Sequence, residues 1–247
     1  MSFIFVFVCG LFSGALIGAA GIGGVVLVPL LVYGAGYGIH ISIAAAVSSF
    51  IFSGLIGTFA YAKRGEIDWL QLIYLTIGAI PGALMGTHTL AKVNADTLKL
   101  FIAIVLIFAA YRQIASLKAK RLERQSTPSN MSLFFVGFLT ASLSVLSGTG
   151  GPLVLVPILT FLSMPLLAVI GLSQSIQIPI AVFATIGNQW SGIIRWEIVA
   201  LLSPGLVFGT FLGAKASERL PVDKIRNLVA FLLLGSGIYM LINLIFV

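Results

Sequence analysis

The groups in this chain best placed to do chemistry are backbone amides at two glycine motifs. Gly21-Ile22-Gly23-Gly24 precedes Val25-Val26-Leu27-Val28-Pro29, and Gly148-Thr149-Gly150-Gly151-Pro152 precedes Leu153-Val154-Leu155-Val156-Pro157. Glycine admits positive φ and close backbone approach, and Pro152 suits the first turn of a helix. Each motif therefore reads as a helix break followed by a new helix start. A helix start presents free N–H groups and the positive end of its dipole. Two such starts facing each other form an anion site without any buried lysine or arginine. Gly21, Gly23, Gly24, Gly148, Thr149, Gly150, Gly151 and Pro152 are the backbone candidates for substrate binding.

Side-chain candidates lie in stretches that carry no charge. Ser48 and Ser49 occupy the middle of one apolar span, and the corresponding stretch of the second half holds Ser173, Gln174, Ser175 and Gln177. Amides buried in hydrocarbon need partners, and two glutamines on one segment suit N–H donation to a bound oxyanion. Interhelical hydrogen bonding is the plainer alternative for Gln174 and Gln177, and bonding to their own helix backbone the plainer one for the serines. Asn188 is a further binding candidate, with a helix-end cap as its alternative reading.

Positioning these groups requires long apolar elements. The chain has 247 residues, 59% hydrophobic and only 9% charged, and residues 1–62 and 125–194 contain no Asp, Glu, Lys or Arg. Crossing the hydrocarbon takes roughly 20 apolar residues, so each run must enter or cross the membrane several times. The spans read as 3–38 (double length), 42–62, 69–91, 96–116, 131–163 (double length again), 166–191, 197–216 and 226–246. A second repeated pair, Pro81-Gly82-Ala83-Leu84-Met85-Gly86-Thr87 and Pro204-Gly205-Leu206-Val207-Phe208-Gly209-Thr210, reinforces the duplication. The glycine stripes Gly10-x-x-x-Gly14-x-x-x-Gly18 and Gly205-x-x-x-Gly209-x-x-x-Gly213 read as close helix packing.

The domain reading is a repeat over 1–117, a basic linker over 118–130 and a second repeat over 131–247, all within one membrane domain. Arg112, Lys118, Lys120, Arg121 and Arg124 make the linker cytoplasmic by the positive-inside rule. If 131–163 crosses once, eight basic residues fall inside and six outside; if it folds back as a hairpin, eleven fall inside and three outside. The hairpin fits better. Its arms of about 15–18 residues, roughly 22–27 Å of helix, fall short of the ~30 Å core. The fold class expected is an all-α polytopic membrane protein of two inverted repeats, each a broken or re-entrant hairpin followed by three transmembrane helices.

The composition also bears on other functions. Cys9 is the sole cysteine, which rules out an internal disulfide or a cysteine-based metal site. The glycine motifs lack the Lys-Ser/Thr ending of a nucleotide-binding loop, there is no HExxH, and no carboxylate lies deep in a span. No enzyme activity, cofactor or metal is expected. The net charge of +7 sits at span ends, so it reads as a topology signal and no nucleic-acid partner is expected. Nothing basic precedes Phe3-Ile4-Phe5-Val6, so a cleaved signal is not expected. His40, His88, Trp69 and Trp196 read as interfacial residues.

At the paired Gly-x-Gly-Gly and Val-Pro motifs, with four hydrophobic segments per half, the chain resembles the sulfite exporter TauE/SafE family. The similarity covers essentially residues 5–245. Val25 and Pro152 stand where the fuller motif has a further glycine. The resemblance implies an anion permease of the cell inner membrane, multi-pass, carrying sulfite or an organosulfonate. Its partners would be the lipid bilayer and a small anionic substrate, with a homo-oligomer left open. The function expected is alternating-access transport at a site between the two broken helices. An anion channel, or a membrane protein assisting sulfur or metal cofactor handling, are the alternatives.

Overall fold

The structure, a computed structural model, describes residues 3–20, 24–116, 128–217 and 222–246. Gly21, Gly23 and nearly all of the basic linker lie outside the described residues. Within them the chain is helical, and the elements follow the order read from the sequence. The first half comprises α1 (Phe3–Ala20), α2 (Gly24–Pro29) with a π-turn over Leu30–Gly34, α3 (Ile39–Lys63), α4 (Trp69–Lys92) and α5 (Ala95–Ser116). The second comprises α6 (Asn130–Ser147), α7 (Pro152–Phe161), α8 (Leu166–Trp190), α9 (Trp196–Ser217) and α10 (Val222–Phe246).

Six of these helices are long and apolar enough to cross a membrane. The second double-length segment resolves into two helices, α6 and α7, separated at its glycine motif, and in the first α1 ends at Ala20 and α2 starts at Gly24. The second arms are shorter than expected. Helix α7 spans 10 residues, about 15 Å of helix, half of the ~30 Å hydrocarbon thickness. The other short arm changes its turn after Pro29. Pro29 has no N–H to close an α-turn, and the following turn widens so that the Ala35 N–H donates to Leu30 O at 3.0 Å.

The halves interlock by exchanging partners. Helix α1 lies along α9, α4 along α6, α3 along α8 and α5 along α10. Glycine drives the closest of these approaches. A Cβ on Gly10 would stand 2.6 Å from Leu202 O, and one on Gly14 2.5 Å from Leu206 O, while Gly209 and Gly213 of α9 press on the Leu11 and Ala15 carbonyls. The same arrangement recurs where Gly78 and Gly82 of α4 meet the carbonyls of Phe134 and Phe138 on α6, and Gly137 meets that of Leu75. Residue numbers rise together in both pairs, so each is parallel. In a bilayer no hydrophobic force joins helices, so small residues that admit close van der Waals contact are what hold such pairs.

Helices α3 and α8 run in opposite directions. Gly57 abuts Gln174, Gly54 abuts Gln177, and the Ser48 and Thr185 hydroxyls lie 2.9 Å apart. This central pair is the most enclosed part of the protein and carries most of the polar candidates. Trp69 and Trp196 are exposed at the starts of α4 and α9, where the Trp196 Nε1–H donates to Gln189 Oε1 at 2.8 Å. Both positions suit interfacial anchoring.

Candidate functional site

The second glycine motif forms a tight reversal between α6 and α7. Gly148, Gly150 and Gly151 all have positive φ, at 68°, 79° and 121°, a region that other residues occupy only with strain. Gly148 caps α6, and its N–H and that of Thr149 both return to Ser144 O. Pro152 then opens α7 at its first position, and the N–H groups of Val154 and Leu155 both donate to Gly151 O. Among the described residues no hydrogen bond takes up the N–H of Gly150, Gly151 or Leu153. Three N–H groups at this break are thus left free of the described acceptors.

Of the first motif the structure describes Gly24, at the start of α2. One aromatic ring joins it to the second break. Phe50 of α3 is fully buried. A Cβ added to Gly24 would lie 2.7 Å from its Cζ, and one added to Gly150 would lie 2.6 Å from its Cδ2. The space between Gly24 and the second break therefore holds a phenyl ring. Sequence reading passed over Phe50 because an aromatic residue in an apolar span carries no chemical signal. The only available hint was its place one residue beyond the Ser48-Ser49 pair.

Beside the ring stand the glutamines of α8. Gln177 lies under Gly151, whose added Cβ would be 3.9 Å from Gln177 Cγ. Its Oε1 accepts from the Ser53 hydroxyl at 3.2 Å, and its Nε2 donates to Gln174 Oε1 at 3.3 Å. Both side chains are buried in a groove made by Gly54 and Gly57. A Cβ on Gly57 would stand 2.6 Å from Gln174 Oε1, so a larger residue there would displace this carboxamide. Ser53, a second residue missed in the sequence, orients Gln177 from across the helix pair.

The remaining candidates divide. The Ser48 hydroxyl meets Thr185 and so joins α3 to α8. Ser49 and Ser175 donate to the carbonyls of Ala45 and Gly171 on their own helices, as the plainer reading of serines in helices allows. Thr149 Oγ1 lies 3.0 Å from Ser147 Oγ and stays within the turn. Asn188 does not cap a helix end: α8 continues to Trp190, and both Asn188 amide atoms are buried without a partner. His40 Nε2 lies 2.9 Å from Val93 O, at the end of α4.

Among the described residues no three His, Cys, Asp or Glu side chains come together as a metal site. The centre is built from neutral donors and acceptors: free backbone N–H groups, two carboxamides and several hydroxyls, closed off by one ring. Such a set can bind a solute by hydrogen bonds and dipoles.

Comparison with known proteins agrees with this architecture. The chain is 25% identical to the probable membrane transporter protein YunE of Bacillus subtilis, with all of both chains covered. It is 26% identical to the probable membrane transporter protein YdhB of the same organism, covering 90% of this chain and 92% of that one. Identity is again 26% to the probable membrane transporter protein MJ0441 of Methanocaldococcus jannaschii, covering 95% and 94%. No solved structure matches. The chain is a multi-pass membrane transporter and belongs to the sulfite exporter TauE/SafE family, whose family model covers residues 6–240.

Proposed function

We propose that this protein carries a small oxyanion, sulfite or an organosulfonate, across the cell membrane by alternating access at the centre between the two glycine breaks. The observation that carries the reading is the start of α7, where the N–H groups of Gly150, Gly151 and Leu153 have no acceptor among the described residues. They lie next to Gln177, which is positioned by Ser53 and Gln174. Free N–H groups at a helix start favour negative charge, and more strongly so in a water-poor interior than in water. The sulfur oxyanion is taken from the family's description. Its oxygens, spread in three dimensions, match donors arriving from a turn and a side chain together.

Alternating access needs two bodies able to rock about one site. The exchanged pairs α1–α9 and α4–α6, and the opposed directions of α3 and α8, are the arrangement expected of inverted repeats. The buried ring of Phe50 between Gly24 and Gly150 corresponds to a closed intermediate, because solute can occupy that space only after the ring moves. That plug supports a carrier over a continuous pore.

Flux in liposomes containing the purified protein tests the proposal. Saturable uptake of sulfite or sulfoacetate, with counterflow exchange, is expected. Absence of saturable flux across sulfite, sulfoacetate and sulfate would overturn it.

A further inference from the structure

The other side of the same reversal presents oxygen atoms. The two N–H groups that follow α6, those of Gly148 and Thr149, both go to Ser144 O. Among the described residues no backbone N–H is left for the carbonyls of Val145, Leu146 and Ser147. The Ser144 hydroxyl, 0% exposed, has no partner either. On α8, Asn188 is likewise 0% exposed, and neither its Oδ1 nor its Nδ2 is bonded.

Two neighbouring helices put these groups at one level. On α3, Gly148 abuts Ile43. Thr185 meets Ser48, and because α3 and α8 run oppositely, Asn188, three residues further along, falls at the level of Ala44 and Ala45 by register. On α4, Gly86 abuts Val145 and Ser142, and the next residue, Thr87, abuts Gly187. The end of α6 and Asn188 therefore flank the same stretch of both helices.

We propose that this place is a sodium-ion site, its ligands drawn from Ser144 Oγ, Asn188 Oδ1 and the carbonyls of Val145, Leu146 and Ser147. The C-terminal end of a helix is the negative end of its dipole, and half-helix ends in membranes coordinate Na+ through such carbonyls. The donors are neutral oxygens, whereas a calcium or magnesium site draws on carboxylates. One reversal thus shows carbonyls to a cation at the end of α6 and N–H groups to an anion at the start of α7. A bound cation would raise affinity for the anion by direct attraction across the break, and the anion would raise affinity for the cation equally. That coupling rests on the anion-carrier reading; the cation site itself does not.

The test is binding of radioactive Na+ to the purified full chain in detergent, with choline chloride holding ionic strength constant and no anionic substrate added. Saturable binding, displaced by unlabelled Na+, is expected, with at least tenfold weaker affinity in Asn188→Ala and in Ser144→Ala. Ser203→Ala, whose hydroxyl bonds Val199 O on its own helix, should bind as the unaltered chain does. If one variant fails to fold, the other decides. No saturable binding by the unaltered chain, or equal affinity in the folded variants, overturns the site and leaves buried water as the partner of these atoms. Na+ binding without anion flux would uphold the site and sink the anion reading; anion flux without Na+ binding would do the reverse.

Discussion

The two halves share a scaffold and differ in what faces it. When Gly148 is matched to Gly21, α3 and α8 coincide end to end, and Phe50 of α3 falls on Gln177 of α8. Both face a glycine break, one with a phenyl ring and the other with a carboxamide. Helices α1 and α6 diverge in the same direction. Ile17 and Ala20 of α1 match Ser144 and Ser147 of α6, while Ser13 and Thr140 both carry a hydroxyl. The first half thus supplies the closing ring, and the second supplies the carboxamides and most of the buried hydroxyls. Repetition sets the matching elements, whereas divergence makes the second half's side of the interior the more polar one. An asymmetric solute is better served by such a site than by a symmetric one.

The sharpest way to break this comparison is at the glycines. Gly150→Val places a branched side chain at a φ of 79° and against the Phe50 ring. Left-handed strain of about 1–2 kcal/mol adds to the clash, so flux should vanish while membrane insertion persists, read by flux and by membrane fractionation. Gly24→Val also meets the ring but needs no positive φ, and should keep measurable flux. Equal losses would mean that the two breaks do the same work.

Phe50→Ala comes next. Removing a buried phenyl ring costs about 3–5 kcal/mol, so the melting temperature in detergent should fall. If the ring is the closing plug, anion leak should rise as well; unchanged leak would reduce Phe50 to a packing residue. The glycine stripes test the part the halves have in common. Gly82→Ala and Gly209→Ala, at matching positions, each drive a methyl group into a facing carbonyl, Phe138 O and Leu11 O. Overpacking costs of about 1–3 kcal/mol should be similar in the two, measured by thermal unfolding. A large inequality would count against equivalent interfaces.

Smaller effects lie in the polar face. Gln177→Leu removes the bonds to Ser53 and Gln174 and should lower flux about tenfold, or ~1.4 kcal/mol. Ser49→Ala and Ser175→Ala, whose hydroxyls bond their own helices, should change flux less than twofold. A strong effect of either serine would move the binding surface to another face of α3 or α8.

Much of the architecture was legible in the sequence because membrane helices announce themselves locally. The apolar runs, the Gly-Gly breaks, Pro152 as a helix start and the charged ends of the spans gave boundaries within a few residues of those observed. The packing role of Gly205 and Gly209 was also readable from their spacing. Less could be read of the centre. Gln174 and Gln177 stand out as amides in hydrocarbon, but Ser53 resembles the self-bonded Ser49, and Phe50 resembles any core aromatic. Which hydroxyl reaches across a helix pair depends on the rotation of both helices, and no single segment encodes that.

Sequence alone determined where helices begin, break and end, since those points follow from backbone chemistry within a turn or two: absent Cβ atoms, an absent N–H, a lost apolar run. Only the tertiary structure decided that α1 pairs with α9 rather than with its neighbour, and that one ring from α3 lies between Gly24 and Gly150. Within a bilayer every helix surface is equally apolar, so partners are chosen by shape at close contact. Shape is a property of two surfaces far apart in the chain and becomes visible only once they meet.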